Sequence, residues 1–295
     1  MIYAVTAYNY LGEHVRMELA YPEKSGFLIY NIEGIGPPKA NINISEVANF
    51  DGGFFNSSRA TTRNILLSLK HMGQPMVEDT RHRSYKYFPL QKPIRLVFET
   101  DRRTTEIYGY VESNEPAIFS KEQHTKISIL CPRPYFQSVR NYITVFSGID
   151  SMFEFPFSNE SLTEKLIIMS QIKATTVETI WYDGDVETGV VIHIHAIGDV
   201  TNPAIYNLDT KEEIKLTTTM SYGDDIVIST VQGDRFIQKL SNGVVSNIIN
   251  SAMSFDRLPD WFKLRKGHNT FAYTADYGVL NMTFNMSRHI LYEGV

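Results

Sequence analysis

Short runs in which apolar and polar residues alternate dominate the first half of the chain and predict β-strands. Such runs occupy residues 65–69, 94–98 and 127–131. A period of two residues places alternate side chains on opposite faces of a strand. The turn sequence TDRR at Thr100–Arg103 follows the second run, so we expect a hairpin with the segment TTEIYGYVE that comes next.

One segment of the first half has a helical period instead. Between Pro75 and Pro89, long side chains recur at helical spacing, at Val77, Arg81, Tyr85 and Phe88. Acidic residues lie near its start and Lys86 lies near its end, which suits the dipole of a helix. The sequence therefore predicts one α-helix among the strands.

From about residue 153 onward the pattern predicts strands alone. FEFPF (153–157) and EKLIIMSQI (164–172) come first, and further strand-like runs follow at the turn spacing typical of a β-sandwich. The segment SAMSFDRLPDWFKLRKG (251–267) predicts a loop. We place a domain boundary between Phe136 and Asp150, and we expect a mainly β protein with domains at residues 1–140 and 150–285.

The composition narrows the classes of protein that are compatible with this pattern. With 295 residues and 43% hydrophobic residues, the chain can form a substantial core. A net charge of −5 argues against a general nucleic-acid binder. The single cysteine, Cys131, excludes a disulfide within the chain, and we interpret it as a buried structural residue. The first residues predict no signal peptide, and no apolar run predicts a membrane span.

Several prolines and glycines are assigned to turns for backbone reasons. Pro132 and Pro134 follow the run that ends at Cys131 and should end strand pairing there. The sequence GIGPP lacks the lysine and hydroxyl residues of a phosphate-binding loop, so we interpret it as a turn. The residues assigned to turns are Gly34, Gly36, Pro37, Pro38, Gly52, Gly53, Pro132 and Pro134.

Two histidines and two acidic pairs are candidates for metal binding or catalysis. His193 and His195 share one face of a predicted strand, as metal ligands could, but no third ligand is near in sequence and a solvated sandwich face explains them better. Asp183 and Asp185, in DGD, and the pair Asp224–Asp225 could serve glycoside hydrolysis or calcium binding. Both lie where turns are predicted, so turn chemistry is the favoured interpretation. We expect no cofactor and no metal.

The two tryptophans raise the possibility of sugar binding. Trp181 lies in an alternating strand and is predicted to belong to the core. Trp261 lies in LPDWFKL and is a weak candidate for stacking on a glycan, with packing of a loop onto the sandwich as the favoured alternative.

Eight segments of the chain together resemble a known family. In the first half they are GFLIYNIEGIGPPKANI, DGGFFNSSRATTRNILLSL, EDTRHRSYKYFP, RLVFETDRRTTEIYGYVE and SILCPRPYF. In the second half they are DGDVETGVVIHIHAIGDVTNPAIYN, YGDDIVIST and WFKLRKGHNTFAY. In this order they resemble the distal tail protein of long-tailed phages that infect Gram-positive bacteria.

The resemblance implies a fold and an assembly. Residues 1–140 would form a belt domain, a tail-tube-like β-sandwich or split barrel with one helix, joined by the last strand at residues 286–295. Residues 150–285 would form a galectin-like β-sandwich. Such proteins form a hexameric ring, in some cases stacked, at the distal end of the tail. The ring joins the tail tube protein to the tail-tip protein and, in some phages, to receptor-binding proteins.

The same resemblance implies where the protein acts. Phage DNA passes through the channel of the ring at infection, and the protein itself does not insert into a membrane. The virion is assembled in the host cytoplasm and the protein lies at the tail tip. No enzymatic activity is expected. The histidine, asparagine and arginine set with which galectins bind galactose is not found in this sequence.

Two arginines in DGGFFNSSRATTRNILLSL lie between a tight acidic turn and a strand. As a hypothesis, Asp51 with Gly52 and Gly53 turns the chain into a β-arm, and Arg59 and Arg63 pair with carboxylates of the next subunit. Arg81 on the predicted helix is a further candidate for this interface. The alternative is a pair within the chain, with Glu78 or Asp79 as the acceptor.

Two other functions compete with the ring. A carbohydrate-binding adhesin would use the second domain to hold the host cell wall. A wall hydrolase would need two carboxylates that face each other across a cleft, and no pair outside the predicted turns is a candidate.

Overall fold

A computed structural model describes residues 1–46, 51–72, 76–120, 122–151, 170–174, 176–252 and 259–295. It divides into two compact units, Met1–Arg140 together with Leu291–Val295, and Asn141–Ile290. The returning segment, expected at residues 286–295, thus begins at Leu291, and Met286 lies in the second unit. The roles assigned to the two predicted domains stay predictions.

The described residues of the first unit form ten strands before residue 140 and one α-helix. They are β1 (Ile2–Tyr8), β2 (His14–Glu18), β3 (Phe27–Glu33), β4 (Ala40–Glu46), β5 (Gly53–Ala60), β6 (Arg63–His71), α1 (Val77–Tyr87), β7 (Pro93–Thr100), β8 (Thr104–Pro116), β9 (His124–Cys131) and β10 (Phe136–Ser138). A 3₁₀ turn covers Pro22–Lys24.

The second unit contains the next thirteen strands. They are β11 (Tyr142–Val145), β12 (Ser147–Ser151), β13 (Ser170–Ala174), β14 (Val177–Tyr182), β15 (Val191–Ala196), β16 (Val200–Asn207), β17 (Glu212–Lys215), β18 (Thr219–Met220), β19 (Asp225–Ser229), β20 (Phe236–Ser241), β21 (Val244–Asn247), β22 (Gly267–Tyr277) and β23 (Met282–Arg288). Strand β24 (Leu291–Tyr292) follows in the first unit. Further 3₁₀ turns cover Ile249–Ala252 and Val279–Asn281.

The first unit is built on one nine-stranded antiparallel sheet. Its main order is β2-β1-β7-β8-β9-β6-β3, and β10 pairs with both β8 and β24. Alternate residues of the strands, such as Ile65, Leu67 and Leu69 of β6, are fully buried in its core. Burial of this apolar surface is the main stabilising contribution that the sheet can make.

The predicted hairpin and helix of the first unit are confirmed. Strands β7 and β8 pair antiparallel, and the backbone N–H of Thr100 donates to the carbonyl of Arg103 across the turn at 3.0 Å. Helix α1 begins at Val77 and ends at Tyr87, with Thr80 and Ser84 as its buried positions. The Thr80 hydroxyl donates a hydrogen bond to the Met72 carbonyl. Because this polar group has a partner, its burial is tolerated.

The second unit is a β-sandwich. One sheet has the order β11-β23-β15-β19-β20-β21, and the other has β14-β22-β16-β17 with β18 beside β16. Tyr273 of the second sheet stacks on Phe284 of the first, with ring centroids 5.1 Å apart, so the sheets pack face to face. A separate pair, β12 and β13, forms a two-stranded sheet.

The prediction of a mainly β protein with two β-rich parts and one α-helix is confirmed for the described residues. The predicted strand FEFPF lies outside the described residues. So does most of EKLIIMSQI, whose last three residues belong to β13. The predicted loop at 251–267 begins with a 3₁₀ turn and is described again from Pro259.

Candidate assembly surface

Strands β4 and β5 form a two-stranded hairpin apart from the main sheet. Each residue of β4 is exposed, as is each residue of β5 before Ala60. Asp51 and Gly52 precede β5, and Gly52 has a φ of +97°, which a residue with a side chain rarely adopts. We refer to residues Ala40–Glu46 and Gly53–Ala60 as the arm.

The arm has one apolar face and one polar face. Ile42 and Ile44 point to the same side, and Ile44 lies opposite Phe55 in the register. Their exposed fractions are 56%, 56% and 66%. The opposite side is polar over Asn41, Asn43, Ser57 and Arg59, while Phe54, 57% exposed, lies opposite Ser45 at the turn end of that side. The alternation NINIS at residues 41–45 indicates such an amphipathic strand, although none of its residues is among the predicted site residues.

Arg59 lies on the polar face of the arm, opposite Asn41. Its side chain is exposed, and in the part of the chain that the structure describes it makes no hydrogen bond or ion pair. Asp51 is likewise exposed at the turn before β5. Neither Glu78 nor Asp79 contacts Arg59 among the described residues, so the alternative of a pair within the chain gains no support for this arginine.

Arg63 is placed very differently, at the start of β6, where it is only 4% exposed. Its guanidinium donates to four carbonyl oxygens of its own chain: Pro134 at 2.5 Å, Gly36 at 2.5 Å, Glu293 at 2.6 Å, and Gly34. It also lies over the ring of Phe136, 4.6 Å from the centroid. Burial lowers the pKa of this guanidinium. Its partners are thus internal carbonyls, neither a neighbour's carboxylate nor Glu78 or Asp79.

Several predicted turn residues surround Arg63. Gly34 has a φ of +82°, and a Cβ there would lie 2.1 Å from the backbone oxygen of Asn64. Gly36, Pro37 and Pro38 continue the loop between β3 and β4, and Pro132 and Pro134 form the loop between β9 and β10. The structure therefore brings the GIGPP and PRP turns together with the returning segment around one buried cation.

Arg81 lies on α1 and pairs within the chain. Its Nη2 is 2.8 Å from a carboxylate oxygen of Glu78, one helical turn earlier, and its side chain is 13% exposed. The sequence predicts an ion pair with Glu78 or Asp79 as the alternative for Arg59 and Arg63. In the structure the arginine that pairs with Glu78 is Arg81. Of the four candidate interface residues, Asp51 and Arg59 are exposed.

The histidines of β15 point outward. His193 and His195 are exposed, while Ile192 and Ile194 are buried in the sandwich. His195 Nδ1 lies 2.7 Å from a carboxylate oxygen of Asp225. Among the described residues, no three histidine, cysteine or acidic side chains are placed to share a metal ion.

The acidic pairs lie at or near the ends of strands: Asp224 follows a turn and Asp225 begins β19. Asp224 is 6% exposed and its Oδ2 lies 2.9 Å from Lys239 Nζ. Burial alone would raise the pKa of Asp224, but hydrogen bonds from Ser241, from the Ser221 backbone and from Lys239 lower it to about 2. Asp183 and Asp185 are exposed in the segment after β14.

Cys131 and the two tryptophans complete the predicted sites. Cys131 is fully buried, and burial raises the pKa of its thiol to about 11, which leaves it protonated and unreactive. Trp261 is half-buried, with the guanidinium of Arg235 5.4 Å from its ring centroid. The prediction of a core position for Trp181 is wrong: this side chain is 58% exposed. Its neighbours Ile180 and Tyr182 occupy the inward positions of β14 instead.

Comparison with known proteins bears on the second unit most directly. Residues 183–287 match the family described as siphovirus-type tail component, C-terminal domain. The resemblance to siphovirus-type tail components is thereby confirmed for this part of the chain. No curated protein sequence matches the chain significantly.

Solved structures extend the likeness to nearly the whole length of the chain. The crystal structure of SPP1 Dit (gp 19.1), described as a paradigm of the hub adsorption apparatus in phages infecting Gram-positive bacteria, is 13% identical. The match has a TM-score of 0.66 and covers 97% of this chain and 99% of that one. At this identity the likeness establishes a shared fold.

Two baseplate structures show a weaker likeness. The phage P2 baseplate in its activated conformation with Ca matches with 13% identity and a TM-score of 0.46, over 98% of each chain. The form with Sr matches with 14% identity and a TM-score of 0.44, over 97% of each chain. These scores are too low to support an argument about this chain.

Proposed function

We propose that the protein is the hub of the tail: a hexameric ring at its distal end that joins the tail tube protein to the tail-tip protein and to receptor-binding proteins. Phage DNA passes through the channel of this ring. The ring assembles in the host cytoplasm before the virion is released. The role is structural, and no catalytic step is part of it.

The apolar face of the arm is the observation that carries this proposal. A two-stranded hairpin without further packing is marginally stable in water. Ile42, Ile44 and Phe55 lie side by side on one face of the arm and are more than half exposed. Burying each of them would contribute on the order of 1 kcal/mol. An arm of this kind is stabilised when another surface covers its apolar face.

A second copy of the chain is the partner that fits best. The arm of one subunit would lie on a different surface of the next, which is a heterologous contact, and repetition of such a contact closes into a ring. The number of subunits follows from the resemblance to distal tail proteins. Arg59 and Asp51 would add a separate polar contact with charged groups of a neighbouring subunit, since an arginine fork suits a carboxylate.

The first test is the mass of the purified protein in solution. Light scattering over a concentration series, with electron microscopy of the same fractions, should give hexameric rings. If the protein stays monomeric, the same measurement is made after co-expression with the tube protein and the tip protein of the same phage. A monomer under both conditions would overturn the proposal.

A matched pair of double variants tests the arm. Ile44→Asp with Phe55→Asp places two carboxylates on the apolar face, at positions opposite each other. Asn43→Asp with Ser57→Asp places two carboxylates opposite each other on the polar face of the same strands. We expect the first variant to remain monomeric and the second to retain rings. Equal ring yields from the two variants would show that the apolar face is not the contact.

Charge reversal at Arg59 tests the polar contact separately. Arg59→Glu should lower the yield of rings while the melting temperature of the monomer stays unchanged, because the side chain is exposed and makes no contact in its own described chain. Full rings from this variant would remove Arg59 from the interface and leave the apolar contact standing.

A further inference from the structure

Trp181 is a large aromatic side chain on the solvent side of a sheet. It lies on β14, which is the edge strand of the β14-β22-β16-β17 sheet. Its side chain is 58% exposed, and its ring centroid is 4.7 Å from that of His268, the opposite residue on β22, at an interplanar angle of 68°. Arg288 Nη2 lies 3.3 Å from the Trp181 carbonyl. The imidazole of His268 thus packs against the indole of Trp181, which remains accessible to solvent.

Small side chains lie beside Trp181 on the same face of the sheet. Thr179 and Thr270 are opposite each other, with their hydroxyl oxygens 3.3 Å apart. Ala272 and Thr274 continue this face along β22, and Tyr206 lies opposite Ala272 on β16. Threonine and alanine side chains thus lie between larger aromatic residues on this face, and Val177, 47% exposed, lies opposite Ala272 at the start of β14.

Hydrogen-bonding groups lie on this face of the sheet, and its charged side chains are largely paired. His268 is exposed, and Asp209 accepts from the Thr270 backbone at 2.6 Å. Lys215 and Asp276 form an ion pair at 2.9 Å on the same sheet. The face therefore offers polar donors and acceptors next to an aromatic ring, without a cluster of charge of one sign among these residues.

We propose that this face of the second unit binds a neutral saccharide, with Trp181 as the stacking platform. A sugar ring has an apolar side of C–H groups that packs on an indole, and a rim of hydroxyl groups that needs several hydrogen-bond partners. Trp181 supplies the first requirement, and His268 with the hydroxyls of Thr179 and Thr270 supplies the second. We refer to these four residues as the saccharide site.

A saccharide fits this surface better than a protein does. Protein contacts usually bury a contiguous apolar patch, whereas threonine and histidine side chains flank Trp181 and separate it from Val177, the other exposed apolar residue on this face of β14. The half-buried Trp261 does not provide a comparable platform, because the guanidinium of Arg235 lies over its ring. The saccharide site lies within the second unit, so it does not depend on the proposed ring.

The two tryptophans of the chain allow a matched test. The probes are soluble neutral tetrasaccharides of glucose, galactose, rhamnose and N-acetylglucosamine, titrated into the full-length protein up to about 10 mM, since single stacking sites bind weakly. In the Trp261→Phe variant all tryptophan emission comes from Trp181. We expect at least one probe to change this emission in a saturable manner.

Calorimetry on variants then assigns the binding to the site. Trp181→Ala should weaken binding at least about tenfold, as truncation of a central aromatic contact commonly does. His268→Ala should weaken it less, and Trp261→Phe should leave it unchanged. Because Trp181 is exposed on an edge strand, Trp181→Ala should keep the circular dichroism spectrum and the melting temperature of the parent.

Two outcomes would overturn the saccharide site. The first is that no probe gives a saturable response while the protein keeps its fold. The second is that a probe binds equally to the parent and to Trp181→Ala. If Trp181→Ala instead abolished co-purification with another tail protein while no saccharide bound, the face would be a protein contact and the proposal would be wrong. None of these results bears on the ring.

Discussion

Strands β5 and β6 are consecutive in the chain, yet one lies almost wholly in solvent and the other is mostly buried. Each carries an arginine, and the two are four residues apart. Arg59 is exposed on the arm, whereas Arg63 is 4% exposed and binds four carbonyl oxygens. A strand's own residues do not decide its burial, because burial depends on which other segments of the chain return to cover it.

Replacing the two arginines in turn should give the largest contrast. Arg63→Ala leaves four buried carbonyl groups without their donor, so we expect the first unit to lose at least about 3 kcal/mol of stability. Arg59→Ala should change stability by less than about 0.5 kcal/mol. Both tryptophans lie in the second unit, so their fluorescence does not report on the first. The stability of the first unit is therefore measured by hydrogen exchange of β6 and β9 peptides during urea denaturation. Similar effects of the two variants would refute the assignment of Arg63 as an internal anchor.

Two glycines with positive φ give a second, smaller contrast. Gly34 lies beside β6, and a Cβ there would be 2.1 Å from the Asn64 oxygen. Gly52 lies before β5, with nothing within 4 Å of the corresponding position. Gly34→Ala should cost about 2 to 4 kcal/mol from strain and steric overlap. Gly52→Ala should cost about 1 kcal/mol from strain alone. The urea midpoint of the first unit measures the loss of stability in each variant. Equal midpoints would contradict the close approach of a Cβ at position 34 to the Asn64 oxygen.

The smallest contrast concerns pH and the far end of β6. His71 is 5% exposed, and burial, with the charges of Arg81 and His124, lowers its pKa to about 4. In the unfolded chain its pKa is about 6.5. The unfolded state therefore binds the proton first as the pH falls, and stability present above pH 6.5 is lost progressively down to about pH 4.

The expected size of this loss is on the order of 1 to 3 kcal/mol for the first unit. His71→Gln keeps a donor near Thr125, whose hydroxyl lies 2.6 Å from His71 Nε2, but does not titrate. Hydrogen exchange of β6 at several pH values should show a flatter profile in this variant than in the parent. Parallel profiles for the two proteins would mean that another group governs the dependence.

Much of the fold follows from local sequence. The β7–β8 hairpin and helix α1 are both predicted because period, turn residues and prolines agree over a short stretch. The outward direction of His193 and His195 follows in the same way, since Ile192 and Ile194 are apolar and must face the core. In these cases the information that decides the structure lies within a few residues.

The candidate sites were harder to predict because they depend on distant residues. Arg63 looks like an interface arginine until the Glu293 carbonyl, 230 residues later, is known to bind it. For Trp181 the alternation correctly predicts a strand. It does not say which of the two sets of alternating residues faces inward. In the structure Ile180 and Tyr182 face the core and Trp181 faces solvent. The apolar stripe of the arm was readable from NINIS, yet an alternating strand usually indicates a covered face.

The pairing of β24 with β10 has a consequence for the order of events during synthesis. Phe136 pairs with Tyr292, and Arg63 binds Glu293, so the first unit draws on residues translated after the entire second unit. The ribosome thus makes the sandwich before the first sheet can be completed. At translation rates of about 5 to 20 residues per second, synthesis of the second unit delays completion of the first sheet by roughly 8 to 30 seconds. During that delay, Arg63 lacks one of its four acceptors and the first sheet lacks β24.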